Sequence, residues 1–430
     1  KLTKDIDFYG GVDFRFYKGT HTNDIVDLYG GKYFIDSTRK SVKPENNANA
    51  ANQSWVYQKL GVGDAVYRDY DGHVVQEGAF FQAEYSKNGL SSFLSGSLSN
   101  TSYWRYDRLY YDKKNAESET KNYLGFTVKG GANYNFNEHH NAFFNVGYIS
   151  RAPKFNYGAF LSFASSNVTN PDAKNEKVVS FELGYGYRLK WLQVDVNAYW
   201  TKWLDKTMAK SSTVGTAQVD AFVNMTGVNA LHKGIEIEAK ASPLYWLDVN
   251  AMFSIGDWKW DSNAKGYVFD YNGQPLTKDG SIASGIGAED HLSTGINLKG
   301  IHVGGAAQTT AALGATIKIG KEIRIGADWT LYARNYAYYS ISGSNLSLGK
   351  TNTVADPWRV PTASQFDLNA SYKFKIAGLN ATISGNVNNL FDYQYLGKVW
   401  NPSSGTATKD NIYGFYAFGR TFSTRLKINF

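Results

Sequence analysis

Apolar and polar side chains alternate along this chain with a period of two, and the pattern returns from one end to the other. The final stretch, residues 421–430, is the clearest case. Phe422, Thr424, Leu426, Ile428 and Phe430 fall in one register, and Thr421, Ser423, Arg425, Lys427 and Asn429 in the other. Successive side chains of a strand point to opposite faces, so this strand is apolar on one side and wet on the other. The same criterion yields roughly fourteen strands in all. Their apolar registers include Ile6, Phe8, Val12, Phe14 and Phe16, then Leu124, Phe126 and Val128, and then Phe181, Leu183 and Tyr185. Later ones include Leu247, Val249, Ala251 and Phe253, and Ile323, Ile325, Ala327 and Trp329.

None of these apolar registers carries a charge. The opposite registers hold Asp7, Asp13, Arg15, Lys129, Asp195, Glu236, Glu238, Lys240, Arg324, Asp328, Asp367, Arg425 and Lys427. A Lys or Arg on a lipid-facing barrel surface costs about 2–4 kcal/mol at mid-bilayer, whereas a wet lumen imposes no such cost. A soluble sandwich alternates too, with its apolar face inward, so alternation alone leaves both open. The chain has no apolar run long enough for a transmembrane helix. Its mean hydropathy of −0.40 still suits a barrel, because half of each barrel strand is polar.

Connection lengths separate the two architectures. Every second link is short: Ser86 to Gly89, Asn137 to Asn141, Arg188 to Trp191, Ser242 to Trp246, Gly320 to Glu322 and Lys375 to Gly378. Asn88-Gly89 is a hairpin signal, since both residues tolerate the positive φ of a type I′ turn. The intervening links are long, at about residues 18–75, 102–120, 151–175, 204–222, 257–303, 334–361 and 392–411. Tight turns on one side and long loops on the other are how outer-membrane barrels are built, the long loops being extracellular. Tyr103, Trp104, Trp200, Trp203, Trp258, Trp260, Trp329 and Tyr332 cluster at strand ends, as interfacial girdles require. The expected fold is an all-β, antiparallel up-and-down transmembrane barrel wall.

Little in the chain points to catalysis. The sequence has no Cys, which removes thiolate metal sites and a Cys nucleophile. Its net charge of +7 is spread along the chain, so nucleic acid is not an expected partner. Residues 343–351 imitate a phosphate loop but with one residue too many between the glycines and no helix to follow. Asp69 and Asp71 are weak calcium candidates without the full ligand loop, and the solvated-loop reading outweighs them. His139 and His140 read as turn residues. Neither an enzyme activity nor a cofactor is expected.

Several tracts together resemble the TonB-dependent outer-membrane receptors. Ser150-Arg151-Ala152-Pro153 is similar to the family's R-A-P tract at the top of a strand. Asn170 to Lys177 is similar to its N-P-x-L-x-P-E-K, keeping Asn170, Pro171 and Glu176 but placing Ala173 and Asn175 where Leu and Pro are usual. Lys233-Gly234-Ile235-Glu236 matches the K-G-x-E strand, and Asn386 to Asp392, with Asn389, Leu390 and Phe391, matches N-x-x-N-L-F-D. Gly419 and Arg420 open the final strand, whose Phe422 and Phe430 are placed as the family's assembly signal.

The resemblance implies a barrel of about 22 strands with a plug inside. This chain supplies about fourteen, with Lys1 leading straight into a strand. It is therefore expected to be one barrel domain, residues 1–430, the carboxy-terminal portion of a receptor without the plug. Implied partners are outer-membrane lipid, the remaining portion with the plug and first strands, and TonB through that portion. A small-molecule, peptide or glycan ligand follows, with a surface lipoprotein as an optional addition. The expected location is the bacterial outer membrane, and the expected role is ligand-gated uptake of a scarce nutrient: a siderophore, corrinoid, peptide or glycan. Aromatic residues of the long loops, Tyr67, Tyr70, Trp104, Trp258, Trp260, Tyr338 and Tyr339, are the ligand-binding candidates; for each alone, packing is the commoner role. Two other readings compete: a self-contained fourteen-strand channel of the fatty-acid transporter type, and a secreted β-rich adhesin.

Overall fold

A chain that alternates this regularly commits its backbone to ladders between neighbouring strands, and the structure is built almost wholly from them. It is a computed structural model that describes residues 2–161, 167–270, 272–339, 346–402 and 406–430. Strand β1 (Ile6–Asp24) pairs with β2 (Ala65–Lys87), and β2 with β3 (Leu90–Asp107). The meander continues through β4 (Lys121–Asn135), β5 (His140–Arg151), β6 (Glu176–Arg188), β7 (Leu192–Val214), β8 (Val219–Leu244) and β9 (Leu247–Trp260). Two short strands follow, β10 (Ala264–Asp270) and β11 (Ser293–Asn297). The wall resumes with β12 (Ala307–Ile319) against β9, then β13 (Ile323–Tyr336). Strands β14 (Thr351–Thr353) and β15 (Arg359–Val360) lie in the next connection, before β16 (Ala363–Ile376) and β17 (Leu379–Asn388). Strands β18 (Leu396–Trp400) and β19 (Tyr413–Tyr416) form a separate two-stranded sheet, and β20 (Thr421–Asn429) pairs with β17.

Eighteen strands share one sheet, and fourteen of them form the antiparallel wall. Among the described residues, β1 pairs only with β2 and β20 only with β17.

The pairings place the apolar registers side by side on one face. Phe8 lies opposite Ala83, Leu98 opposite Phe126, Val146 opposite Phe181, Leu313 opposite Trp329 and Ile383 opposite Leu426. Val12, Leu94, Phe126, Leu183, Leu313, Phe366 and Leu426 are all exposed. A continuous apolar surface of this extent fits a lipid solvent and not water. The band has an edge: Glu77, opposite Phe14, occupies the outward register two positions above Ala79. Above it Phe16, His73 and Trp104 form an aromatic row, with His73 and Trp104 stacked at 4.8 Å. Higher still, the same face turns charged with Lys18, Asp69, Asp71 and Arg108.

The tight turns are as expected. Asn88 and Gly89 both have positive φ, as do Ala377 and Gly378. The long side differs in several places. Within residues 18–75, β1 and β2 stay paired as far as Asp24 and Ala65, and short strands occupy parts of 334–361 and 392–411. Residues 204–222 are not a loop: β7 and β8 run on past the lipid band and stay paired to Val214–Val219. At 26 residues, β8 is roughly 85 Å long, about three times the height of an apolar band. The period-two signal fails there because both faces are covered. Ala221, Phe222, Val223, Asn224 and Met225 are all buried, and a strand buried on both sides loses its alternation. Residues 257–303 likewise contain β10, which adds to β8. The second correction concerns the girdle. Trp104, Trp200 and Trp329 share the outward registers, whereas Trp203, Trp258 and Tyr332 fall in the inward ones.

Candidate functional site

Above the lipid band the inward face of the wall meets the loops, and two packed zones result. One zone lies over β2 and β3. Tyr70 and Arg105 project inward there and are completely buried, as are Asp36, Asp107 and Phe160. The Arg105 guanidinium sits 3.7 Å from the Tyr70 ring centre and 5.5 Å from that of Phe160, and His21 stacks on Tyr70 at 4.8 Å. Asp36 accepts from the Thr38 and Tyr67 backbone N–H groups and from the Tyr110 hydroxyl, the last at 2.9 Å. Burial pushes the Tyr110 phenol well above its ordinary range, so it stays a donor. The other zone is an apolar core around Val223, Met225, Val268, Leu276, Ile296 and Leu298, formed where the extended β8 is covered by β10, β11 and their connections.

On the inward wall of β7, β8 and β9, Trp258 Nε1 donates to the Tyr199 hydroxyl at 2.8 Å, and His232 packs on Trp258 at 5.4 Å. Two glycines make room for this group. A Cβ on Gly234 would fall 2.5 Å from the Ile255 carbonyl and 2.6 Å from the Tyr199 hydroxyl, and one on Gly256 would fall 2.5 Å from Trp258 Nε1. The glycine of the K-G-x-E tract is therefore a packing requirement. Arg151 Nη2 donates to Glu176 Oε2 at 2.6 Å, and Glu176 is almost completely buried. The Pro153 carbonyl accepts from the Tyr103 hydroxyl. Asn170 closes its own loop through Gly158 and Ala159, and its side chain caps the Asp172 N–H. Ala152 and Pro171 lie in the connection between β5 and β6, beside Arg151 and Asn170.

The second motif staples β17 to β20. Asn389 has φ +52° and is buried. Its N–H donates to Asp367 Oδ1 at 2.7 Å, and its amide both donates to and accepts from the Tyr393 backbone at 2.9 Å. Asp392 accepts from the Arg420 N–H, and Arg420 Nη1 reaches the Leu390 carbonyl. A Cβ on Gly419 would come within 2.7 Å of Asp392 Oδ1. Phe391 meets Phe366 edge to face. Phe422, on the outward face of β20, and Phe430, just past its end, are exposed.

The seven aromatic candidates do not converge. Tyr70 is fully buried and Trp260 only 8% exposed, while Tyr339 packs against the same core as Trp260. Trp104 faces outward. Tyr67, with φ +64°, packs on Phe34 at the surface, and Tyr338 is exposed beside Gly305. Trp258 lies in the inward register of β9, as Trp260 does, and is held there against Tyr199 and His232. Asp69 and Asp71 are taken up by Arg108, at 2.6 and 2.8 Å, and Asp71 also by Lys18 and Thr20. Burial pushes the Asp71 carboxyl up, but its three side-chain donors outweigh burial and hold it well below the usual carboxylate range. No group of three or more metal-ligating side chains occurs among the described residues. Of residues 343–351, 343–345 lie outside the described residues, and Thr351–Thr353 is a strand rather than a helix. Residues passed over in the sequence include Tyr199, Asn335 and Tyr395. An aromatic in the wet register, as at Tyr199, is the signal that marks such positions.

The family model described as TonB dependent receptor-like, beta-barrel, matches residues 2–390, and the chain belongs to that family. No curated protein matches it in sequence. Among solved structures it is similar to "Copper transporter OprC" at 14% identity and TM-score 0.61, over 100% of this chain and 54% of that one. It is also similar to the siderophore receptor PiuA from Acinetobacter baumannii, at 15% identity and TM-score 0.58, over 99% of this chain and 53% of that one. The ferric-catecholate import receptor Fiu from E. coli K12 aligns at 14% identity and TM-score 0.56, over 98% of this chain and 51% of that one. The chain thus spans about half the length of these receptors, and the likeness is one of fold.

Proposed function

We propose that this chain is the carboxy-terminal wall of a bacterial outer-membrane receptor for TonB-dependent, ligand-gated uptake of a scarce nutrient. The observation that carries the reading is the family match over residues 2–390, laid on a wall whose outward face is apolar and exposed. In this reading residues 1–430 form one barrel domain. Polypeptide beyond them supplies the plug, the remaining strands and the contact with TonB. The loops and upper inward wall form part of the vestibule, for a siderophore, corrinoid, peptide or glycan. The similar solved structures include a copper transporter and a siderophore receptor, which supports import as the role. A surface lipoprotein remains an optional partner.

The test is fractionation and uptake. The receptor is expected in the outer membrane, with heat-modifiable migration on a gel, and nutrient uptake is expected to vanish when TonB is deleted. A chain that stays soluble without detergent would sink the proposal and favour the adhesin. The self-contained channel makes its own demand: β1 must pair with β20. The chain lacks Cys, so a single engineered cysteine on each of these strands reports the pairing cleanly, and a high-yield disulfide would favour the channel.

A further inference from the structure

The connection from β10 to β11 folds back onto β10 and helps to cover the apolar core around Val223, Val268 and Ile296. Leu276 and Leu292 reach into that core. Backbone bonds tie both to β10: Leu276 N–H donates to the Val268 carbonyl at 3.1 Å, and Val268 N–H donates to the Leu292 carbonyl at 3.0 Å. Between them residues 284–290 form a turn at the surface, with Ile286 about half exposed.

A buried imidazole fastens this turn to β10. His291 is only 4% exposed. Its Nδ1 accepts from the Gly287 N–H at 2.9 Å, and its Nε2 lies 2.8 Å from the Val268 carbonyl oxygen. Both partners are backbone groups with fixed roles, since an amide N–H only donates and a carbonyl only accepts. Nδ1 must therefore be bare and Nε2 must carry the proton, which is the neutral ring in one tautomer. A second proton would set two N–H groups against each other across the Gly287 contact. Flipping the ring gives no escape, because both nitrogens of an imidazolium carry protons. Tyr267 stacks on the ring at 4.7 Å and Phe269 meets it edge to face at 5.1 Å.

From this geometry we infer that residues 284–291 are an acid-released strap, fastened to β10 while His291 is neutral and freed when the ring takes a second proton. The titratable groups around the ring are few. From β10 they are Tyr267 and, 5.2 Å from the Tyr267 ring centre, the Lys265 ammonium. From β8, Asn224 and Phe222 lie opposite Tyr267 and Phe269 and carry no charge. From the turn itself comes Asp290, which accepts from the Ser284 hydroxyl at 2.6 Å and the Ser284 N–H at 2.9 Å. These donors hold the Asp290 carboxyl below the usual carboxylate range, so it keeps its charge while a histidine titrates. His302 supplies a contrast in the same region. Its Nδ1 lies 2.6 Å from Asp356 Oδ2, an acceptor that takes an N–H from a neutral or a protonated ring alike. Acid therefore leaves that link whole while it breaks the one at Gly287.

The test is hydrogen exchange read by mass spectrometry on the whole protein purified in detergent, each rate being referred to the intrinsic rate at the same pH. It is run at about pH 7.5 and about pH 5, either side of the ordinary imidazole value of about 6.5. Protection of peptides covering residues 284–291 should fall about tenfold in acid, within the roughly thirtyfold that one proton can drive below 6.5. Peptides covering His302 and Asp356 should keep their protection. His291→Asn offers an oxygen to the Gly287 N–H, and His291→Gln offers a donor to the Val268 carbonyl, and neither side chain takes up a proton. In both variants the acid response should vanish, whether the strap is held or already free at the higher pH. Heat-modifiable migration of each variant reports that the barrel is folded. Equal protection of the strap at the two pH values in the unaltered protein overturns the inference. So does an acid loss that persists in the variants, or one shared by the His302 and Asp356 peptides.

Discussion

The lower and upper parts of the same strands solve opposite problems. In the lower wall, Leu313 of β12 lies between Ala251 and Trp329 and is half exposed. In the upper wall, Met225 of β8 is completely buried among Val223, Val268 and Ile296. Both side chains are apolar and both sit on paired strands. Lipid covers the first without any help from the chain. Above the lipid the surrounding medium is water, so the protein must supply its own second layer, and β10, β11 and the long connections do so. Long loops on a barrel of this kind are therefore partly the cover for strands that overshoot the membrane.

The contrast can be broken from either side. Met225→Ala should have the largest effect, destabilising the outer unit by about 2–5 kcal/mol, as expected for truncating a fully buried side chain. Limited proteolysis should then cut within residues 204–230 while heat-modifiable migration persists. Loss of the barrel transition instead would show that the two parts fold as one. Leu313→Arg should destabilise the wall by about 2–4 kcal/mol in denaturant unfolding from lipid. Thr316→Arg, in the inward register of the same strand, should change it little. Equal effects would contradict the assignment of faces.

Above the girdle, Arg108→Ala should cost about 1 kcal/mol, since its pairs with Asp69 and Asp71 are partly solvated. The sign with pH follows from Asp71, whose carboxyl is held below its ordinary range. Its contribution is complete above the unfolded value of about 3.9 and fades as pH falls below it. The variant's deficit should therefore shrink in acid, and a deficit that grows in acid would contradict the pairing. The smallest effect concerns a tight turn. Ala377 holds φ +49°, a conformation that favours glycine, so Ala377→Gly should stabilise by about 0.5–1 kcal/mol.

Particular residues show where sequence was enough. Leu426 against Arg425, or Phe126 against Lys129, announces which face meets lipid, because a one-position shift changes the solvent each side chain meets. Alternation, turn chemistry at Asn88-Gly89 and the alternating loop lengths were legible for the same reason: each depends on neighbours in the chain. The motif tracts marked the family, yet their residues proved to be staples: Arg151 on Glu176, and Asn389 on Asp367 and Tyr393. The extension of β7 and β8 was hidden, since burial on both faces erases the period on which the reading depends.

What sequence by itself determined, then, is the wall: its strand count, its outward face and its family. What only the tertiary structure decided is which aromatics are free. Tyr70, Trp104 and Trp258 look alike as loop and strand-end residues. One is sealed under Arg105, one faces outward beside His73, and one lies on the inward wall against Tyr199. The difference comes from partners tens of residues away, Phe160 and Tyr199 among them, and local periodicity holds no record of contacts made at that range.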